Sequence, residues 1–287
     1  MTDSDGVAVR VHGLRKQYGE VTAVGGIDVE IRRGEVFALL GPNGAGKTTT
    51  VEILEGYRHR DGGTVEVLGE DPQRAGRAWR ARIGIVLQLA GEAESTELTV
   101  REMVRHFASF YPLPRDPDEV ISLVGLSAKA RSRIHQLSGG QVRRLDVALG
   151  IVGDPELMFL DEPTTGFDPE ARRQFWTLIG DLSGSGTTIL LTTHYLDEAE
   201  QLADRVAVLR EGRIIREGTP AELTGGGSET EIRFRRNGEV VVEQTSEPTR
   251  RLHELTAAAL ERGEELEGLE VRRPTLEEVY LELTGDQ

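Results

Sequence analysis

A glycine-rich segment of the chain ends in a lysine followed by threonines, and these residue types at this spacing can hold phosphate. Residues 41–48 fit the pattern G-x-x-x-x-G-K-[ST]. Glycines let backbone N–H groups turn inward around phosphate oxygens, and the N-terminus of a following helix adds a favourable dipole. We expect Lys47 to reach the β- and γ-phosphates of a nucleotide and the Thr48 hydroxyl to ligate Mg²⁺. The residues predicted to bind the nucleotide are Gly41, Pro42, Asn43, Gly44, Ala45, Gly46, Lys47, Thr48 and Thr49.

Two acids follow directly after the apolar segment at residues 157–160. Such a run is typical of a strand buried in a parallel sheet, and ligands of open α/β sheets bind beyond the carboxyl ends of the strands. Asp161 and Glu162 are therefore predicted to lie beside the phosphates, since two buried acids are costly unless a cation or a water uses them. We assign Asp161 to Mg²⁺ and Glu162 to general-base catalysis. With the phosphate loop, these acids predict a nucleotidase or a kinase.

A second anion-binding helix start is predicted at Leu137-Ser138-Gly139-Gly140-Gln141, which lies 20 residues before the strand at Leu157. With this pentapeptide the chain resembles the nucleotide-binding subunits of ABC transporters, whose defining signature it is. The resemblance covers about residues 7–222, and the other motifs of the family occur in the expected order.

Four single residues receive roles from this resemblance alone. Gln88 matches the glutamine that ligates Mg²⁺ and senses the membrane partner. Asp168 matches the aspartate of the dimer-contact loop, although Phe167 stands where the family usually has leucine. His194 matches the switch histidine that holds the γ-phosphate and the attacking water, and Tyr18 matches the aromatic residue that stacks on adenine.

The resemblance also implies a dimer, because in this family ATP lies between the phosphate loop of one subunit and the signature of the other. The chain has one copy of each motif. Ser138, Gly139, Gly140 and Gln141 are therefore expected to contact ATP bound by a second ABC subunit, most simply an identical one. ATP and Mg²⁺ are the implied cofactors, and hydrolysis removes the phosphate contacts that hold the dimer together.

The elements needed to position these residues can be read from hydrophobic periodicity. Strands alternate with helices, which indicates an α/β sheet with a helical insertion at about 95–150. The resemblance implies a phosphate-loop ABC ATPase core with an antiparallel β subdomain and a helical subdomain. The strands expected after the first two are at residues 36–40, 64–68, 83–87, 157–160, 187–193 and 205–209.

A flexible linker, Gly225-Gly226-Gly227-Ser228, is predicted to divide the chain into domains 1–224 and 225–287. In the second domain, alternating apolar residues lead to Asn237-Gly238, which is a hairpin signal. A helical pattern at residues 250–266 and another from Pro274 follow. The tail is therefore predicted to be a small C-terminal α+β domain.

Composition narrows the range of partners. Formal charge is −15, with 34 basic and 49 acidic residues, so a broad surface for nucleic acid or anionic lipid is disfavoured. The chain has no cysteine, which excludes disulfides and thiolate metal sites. It also has no apolar run of the length that a membrane span needs. A transporter would thus require separate permease subunits, which would attach this cytoplasmic chain to the inner face of the cell membrane.

The C-terminal end narrows the resemblance further. Residues 274–280 (Pro-Thr-Leu-Glu-Glu-Val-Tyr) and then Leu283-Thr284-Gly285 are similar to the ending of the daunorubicin-resistance type of ABC ATPase, which serves exporters of drugs, lipids or polysaccharides. An amphipathic helix that merely closes a small domain would give a related pattern. Importers and soluble ABC ATPases of translation, DNA repair or iron–sulfur assembly are the alternatives. The single ATPase module disfavours translation factors, and the short insertion disfavours repair ATPases.

Overall fold

The computed structural model describes residues 6–86, 97–224, 230–236, 239–272 and 275–284. The chain divides into two compact units, Met1–Arg216 and Glu217–Gln287. Several predictions fall outside the described residues, namely those on Gln88, residues 225–228, Asn237, Gly238, Pro274 and Gly285.

The described strands up to residue 218 are β1 (Val7–Tyr18), β2 (Val21–Arg32), β3 (Val36–Leu40), β4 (Gly62–Val67), β5 (Ile83–Val86), β6 (Leu157–Asp161), β7 (Thr188–Thr193), β8 (Arg205–Arg210) and β9 (Arg213–Gly218). The helices of the same part are α1 (Lys47–Leu54), α2 (Arg77–Arg80), α3 (Val100–Ala108), α4 (Pro117–Leu123), α5 (Gly139–Ile151), α6 (Pro169–Gly184) and α7 (Leu196–Leu202). Short 3₁₀ turns occupy Ser127–Lys129 and Ile134–Gln136.

A six-stranded sheet in the order β5-β6-β7-β3-β8-β9 forms the centre of the larger unit. Five of its strands, β5, β6, β7, β3 and β8 in sheet order, each run parallel to the next. All five residues of β3 and all six of β7 are buried, as expected for strands covered on both faces. The predicted α/β core is confirmed. The sequence reasoning missed β9, because that edge strand is mostly exposed and carries no continuous apolar run.

A separate antiparallel sheet, in the order β2-β1-β4, provides the predicted β subdomain. Val11 on β1 pairs with Val29 on β2 and Val65 on β4, and all three side chains are buried. Such cross-strand apolar pairs stabilise a sheet and set its register.

The predicted helical insertion contains α3, α4, α5 and the two 3₁₀ turns. Thr99 caps α3, because its hydroxyl accepts from the Glu102 N–H while the Glu102 carboxylate accepts from the Thr99 N–H. This reciprocal capping box satisfies two helix-end donors. Among the described residues, no helix combines the length and the apolarity needed to cross a bilayer.

The smaller unit contains α8 (Pro220–Leu223), β10 (Thr230–Arg236), β11 (Glu239–Thr245), α9 (Pro248–Glu261), β12 (Glu267–Arg272) and α10 (Leu276–Thr284). Its three strands form an antiparallel sheet in the order β11-β10-β12. Arg236 pairs with Glu239, so β10 and β11 form an antiparallel pair, as the sequence predicts. Ile232 and Phe234 on β10 pack with Leu255 of α9, which gives this α+β unit a core of its own.

Glu55, directly after α1, is a buried acid in the larger unit, with 7% of its surface exposed. Burial raises the pKa of its carboxyl to about 8, and the negative charges of Asp161 and Glu52 act in the same direction. The folded protein therefore holds a proton here that the unfolded chain releases above its ordinary pKa of 4.5.

We expect Glu55→Gln to stabilise the protein at about pH 9 relative to the parent and to lose this advantage below about pH 4.5. The stability that the neutral carboxyl provides is complete at low pH and is lost as pH rises through the folded-state pKa. The stabilisation of Glu55→Gln relative to the parent should therefore grow between the ordinary pKa of 4.5 and the folded-state pKa of about 8, to the order of a few kcal/mol. Urea unfolding at several pH values, with the exposed Glu66→Gln as control, measures it. If the free energies of unfolding of Glu55→Gln and the parent change with pH in the same way, Glu55 is not a buried neutral acid.

Candidate functional site

The phosphate loop, residues 41–48, connects β3 to α1, and at two of its positions there is no room for a side chain. A Cβ on Gly41 would lie 2.4 Å from the carbonyl oxygen of Leu209, and one on Gly46 would lie 2.3 Å from that of Ala23. Gly46 also has a left-handed φ of 103°. It is the N-cap of α1 and provides no side-chain bond to the first turn. The N–H groups at this helix start are thus oriented for an anion.

Lys47 is buried and bends over this loop. Its ammonium donates to the carbonyl oxygen of Gly41 at 2.7 Å and to that of Pro42 at 3.2 Å. Its Nζ also lies 3.8 Å from a carboxylate oxygen of Glu162. Burial lowers the pKa of Lys47, while the charges of Glu162 and Asp161 oppose that change. The lysine therefore lies between the phosphate loop and the two acids.

Thr48 and Asp161, both predicted to hold Mg²⁺, face each other. The Thr48 hydroxyl donates to one Asp161 oxygen at 3.4 Å, and the Thr192 hydroxyl of β7 donates to the other. A hydroxyl and a carboxylate fit Mg²⁺, which takes oxygen donors and usually keeps waters and substrate phosphates in its remaining positions. The donor set on this chain is compatible with the predicted ion.

Glu162 has a left-handed φ of 44°, an uncommon conformation for a residue other than glycine. Its N–H donates to the Thr192 carbonyl oxygen at 3.1 Å. Its Oε2 lies 3.4 Å from Nδ1 of His194, whereas its Oε1 is the oxygen that lies near Nζ of Lys47. Backbone strain of about 1–3 kcal/mol is typical of functional positions. The structure thus brings Lys47, Thr48, Asp161, Glu162 and His194 together.

The predicted signature residues lie at the start of α5. Ser138 is the N-cap of α5, and a capping box joins it to Gln141: the Gln141 N–H donates to the Ser138 hydroxyl at 3.4 Å, and the Ser138 N–H donates to the Gln141 side chain at 3.1 Å. Gly139 is exposed and Gly140 is half-buried. Within the described residues, no hydrogen bond joins residues 138–141 to residues 41–49. The contact of this helix start with ATP therefore stays a prediction.

Asp168 and Tyr18 are also exposed. Asp168 caps α6, where its carboxylate accepts from the Ala171 N–H at 2.8 Å. The Tyr18 ring, at the end of β1, has the Lys16 ammonium and the Arg58 guanidinium each 5.4 Å from its centroid. Dimer contact for Asp168 and adenine stacking for Tyr18 stay predictions.

Sequence reasoning missed Arg143, a buried residue of α5 that holds the backbone on both sides of Glu162. Its guanidinium donates to the carbonyl oxygens of Pro163 at 3.0 Å and Asp161 at 3.2 Å, on either side of Glu162. A buried arginine that binds two carbonyls fixes the backbone between them. The sequence signal was a charged side chain at a position of the helix that otherwise faces the core.

Sequence reasoning also missed Glu198, a fully buried acid on α7 just after His194. Burial raises its pKa, and the nearby side chains of Thr193, Thr164 and Trp176 counteract that change in part. The carboxyl, the Thr164 hydroxyl and the Trp176 indole are buried together without ideal hydrogen-bond geometry. Glu198 thus connects the helix after His194 to the loop after Glu162.

Known proteins with similar sequences and a similar fold are ATP-binding subunits of ABC transporters. The family model described as ABC transporter matches residues 24–165. The daunorubicin resistance ATP-binding protein DrrA3 of Streptomyces coeruleorubidus is 40% identical over 97% of this chain and 96% of its own length. The Nod factor export ATP-binding protein I of Ralstonia nicotianae is 45% identical over 74% of this chain and 67% of its own length. A solved structure described as an ATP-binding subunit of an ABC transporter shares the fold, with a TM-score of 0.71 at 23% identity over 96% of this chain and 99% of that one.

The fold and the phosphate site define an ATPase of the ABC class. The chain belongs to the family of ABC transporter ATP-binding subunits, and within it to the daunorubicin-resistance type. It binds ATP and couples ATP hydrolysis to transport, as such cassettes do when they dimerise and work with membrane subunits. The predicted family and function are confirmed over the soluble alternative.

We expect Glu198→Gln to keep the free energy of unfolding within about 1 kcal/mol of the parent, because the amide keeps the size and shape of the carboxyl, and burial raises the pKa of that carboxyl and so disfavours its charged form. Glu198→Ala should lose about 2–4 kcal/mol, since it opens a cavity and leaves the Thr164 hydroxyl and the Trp176 indole buried beside it. Urea unfolding at neutral pH measures both, and the exposed Glu200→Ala on the same helix is the control. Equal losses for the two Glu198 variants would show that the residue acts as a charged group.

Proposed function

We propose that this chain is the ATPase of an exporter of a drug, lipid or polysaccharide and that it works as a homodimer. The observation that carries the proposal is that the side chains of Lys47, Thr48, Asp161, Glu162 and His194 converge beside the phosphate loop. Two relatives support export, because their names refer to daunorubicin resistance and to Nod factor export.

In the proposed reaction, the first-turn N–H groups of α1 and the Lys47 ammonium bind the phosphates of ATP. Thr48 and Asp161 would hold Mg²⁺, together with Gln88 by resemblance, and the ion would neutralise charge on the phosphate oxygens. When Lys47 turns to a phosphate, its attraction to Glu162 weakens, and the carboxylate becomes free to take a proton from the attacking water. His194, 3.4 Å from that carboxylate, would orient the water and the γ-phosphate.

The dimer completes each site in this proposal. Ser138, Gly139, Gly140 and Gln141 would contact ATP held by the second copy, and Asp168 would meet its counterpart loop. Bound ATP then favours the closed dimer, and loss of the γ-phosphate favours the open one.

The chain would reach the membrane through separate permease subunits at the inner face of the cell membrane. The section from Gln88 to Tyr111 is where family members meet such subunits. A nucleic acid partner is disfavoured by the net charge of −15.

We expect Glu162→Gln to abolish turnover, because the amide cannot accept the proton, while ATP binding persists and a dimer accumulates. Light scattering in saturating MgATP measures the mass, and calorimetry measures ATP binding. Lys47→Ala is the matched control, since loss of the ammonium should remove ATP affinity and keep the chain monomeric. A Glu162→Gln protein that stays monomeric with ATP bound would overturn the proposed dimer, in which ATP lies between the two subunits.

We expect tagged Glu162→Gln protein, incubated with MgATP and detergent-solubilised native membranes, to recover a stoichiometric polytopic membrane protein. Mass spectrometry of the co-purifying chains would identify it and narrow the cargo. Lys47→Ala, which should not form the ATP-bound dimer, tests whether recovery depends on nucleotide. Recovery of ribosomal, DNA-repair or cluster-assembly proteins from the cytosol alone would favour the non-transport alternative and leave the ATPase chemistry intact.

A further inference from the structure

Tyr18, the residue expected to stack on adenine, is the last residue of β1 and has an accessible ring. The residue is 40% exposed, so a base can reach it. Tyr18 pairs with Val21 on β2, and Ala23 of the same strand packs against Gly46 of the phosphate loop. The strand pair that carries the ring therefore also contacts the loop. Because one nucleotide has to meet both groups, the position of the ring relative to the loop matters for binding.

The end of β1 is irregular directly before this ring. The register of β1 on β2 shifts between Lys16 and Gln17. On the other side of β1, the pairing with β4 ends at Arg15, which lies opposite Gly62. A register shift interrupts the ladder of hydrogen bonds and leaves backbone groups in need of other partners. The segment that carries Tyr18 therefore needs support from outside the two ladders.

Asp61, the residue before β4, provides this support. Its carboxylate accepts from the Gln17 N–H at 2.7 Å and from the Lys16 ammonium at 2.9 Å. Its own N–H donates to the carbonyl oxygen of Arg15 at 2.9 Å. The bonds from Lys16 and Gln17 lower the pKa of Asp61, so its carboxylate is charged near neutral pH. One side chain and its backbone thus hold the three residues that precede the ring.

Arg58 supports the same ring from the direction of α1. Its guanidinium carbon lies 5.4 Å from the centroid of the Tyr18 ring, and its Nε donates to the carboxylate of Glu52 on α1. The Arg58 N–H also donates to the Glu52 carbonyl oxygen at 2.9 Å. The Lys16 ammonium, which Asp61 holds, lies 5.4 Å from the same centroid. Cations at this distance are attracted to an aromatic ring, so the ring is held from two directions.

We propose that Asp61 and Arg58 are positioning residues that hold the Tyr18 ring where it stacks on the base of the nucleotide. Asp61 acts through Lys16 and Gln17, and Arg58 acts directly on the ring. A ring that is already in place loses less conformational freedom when the base binds, so more of the stacking energy contributes to affinity. This inference rests on the proposed function, in which Tyr18 stacks on adenine.

A double-mutant cycle with Tyr18 tests the inference. The probe is MgADP, which carries the base and is not hydrolysed, and calorimetry on the full-length protein measures its dissociation constant. We expect Tyr18→Ala to weaken MgADP binding at least about tenfold, because stacking on an aromatic ring contributes that much to the binding of a base. Asp61→Ala and Arg58→Met should each weaken it by about threefold to tenfold in the parent, but by less than about twofold in the Tyr18→Ala protein.

Asp28→Ala is the matched control for Asp61→Ala. Asp28 is an exposed acid of β2 whose carboxylate accepts from the N–H of Gly13 on β1 at 2.9 Å, nearer the start of that strand. Its loss should change MgADP affinity by less than about twofold. Asp61→Asn should recover part of the affinity that Asp61→Ala loses, since the amide oxygen can still accept from the Gln17 N–H.

Steady-state hydrolysis gives a second readout that a general structural defect would not reproduce. Asp61→Ala should raise the KM for ATP and leave kcat at saturating ATP within about twofold of the parent, because the ring acts on binding rather than on the chemical step. Circular dichroism verifies that each variant is folded. A lower kcat with an unchanged KM would overturn the proposal.

The cycle also separates failure of this inference from failure of the proposed stacking. If Asp61→Ala and Arg58→Met weaken MgADP binding as much in the Tyr18→Ala protein as in the parent, they act by another route and the proposal is overturned. If Tyr18→Ala weakens binding while Asp61→Ala and Arg58→Met do not, the inference fails and the stacking role of Tyr18 stands. If Tyr18→Ala leaves the affinity unchanged, the stacking role fails and the inference fails with it.

Discussion

The parallel register of β3, β7 and β6 is the constraint on which the phosphate site depends. Leu40 pairs with Thr193, and Asp161 pairs with Thr192, so the three strands end at nearly the same level. The residues that come next are the phosphate loop, His194 and Glu162. Because these strand ends are buried and hydrogen-bonded side by side, three segments that are distant in sequence meet at one edge of the sheet. The side chains of the predicted site are thus held at the ends of paired, buried strands.

Buried ionisable side chains connect this edge to the rest of the larger unit. Lys47 faces the acids from the phosphate loop, and Arg143 reaches from α5 to the carbonyls around Glu162. Glu198 lies behind His194 against Thr164 of the same loop. Each group is nearly or fully buried, so its partner cannot be replaced by water without a cost. Contacts of buried side chains therefore join three segments of one chain: helix α5, the segment that follows His194, and the loop that follows Asp161.

Much of the fold could be predicted because its signals are local. The buried strands β3 and β6 appear as continuous apolar runs, and the phosphate loop requires glycine at positions where a Cβ would meet a carbonyl. The hairpin of β10 and β11 follows from a turn dipeptide between alternating residues. The strand β9 was missed since an exposed edge strand has no such pattern. Arg143 and Glu198 were missed because their partners are distant in sequence.

The sequence by itself determined the class of chemistry, the family and the residues of the phosphate site, since each motif combines a residue type with a fixed local spacing. Only the tertiary structure decided how those residues meet: that Thr48 faces Asp161, that Glu162 lies between Lys47 and His194, and that Glu162 adopts a strained backbone. It also decided that Glu55 and Asp146, which are distant in sequence, line one cleft. Spacing along a chain specifies local geometry, whereas burial and charge pairing between distant segments arise only when the chain packs.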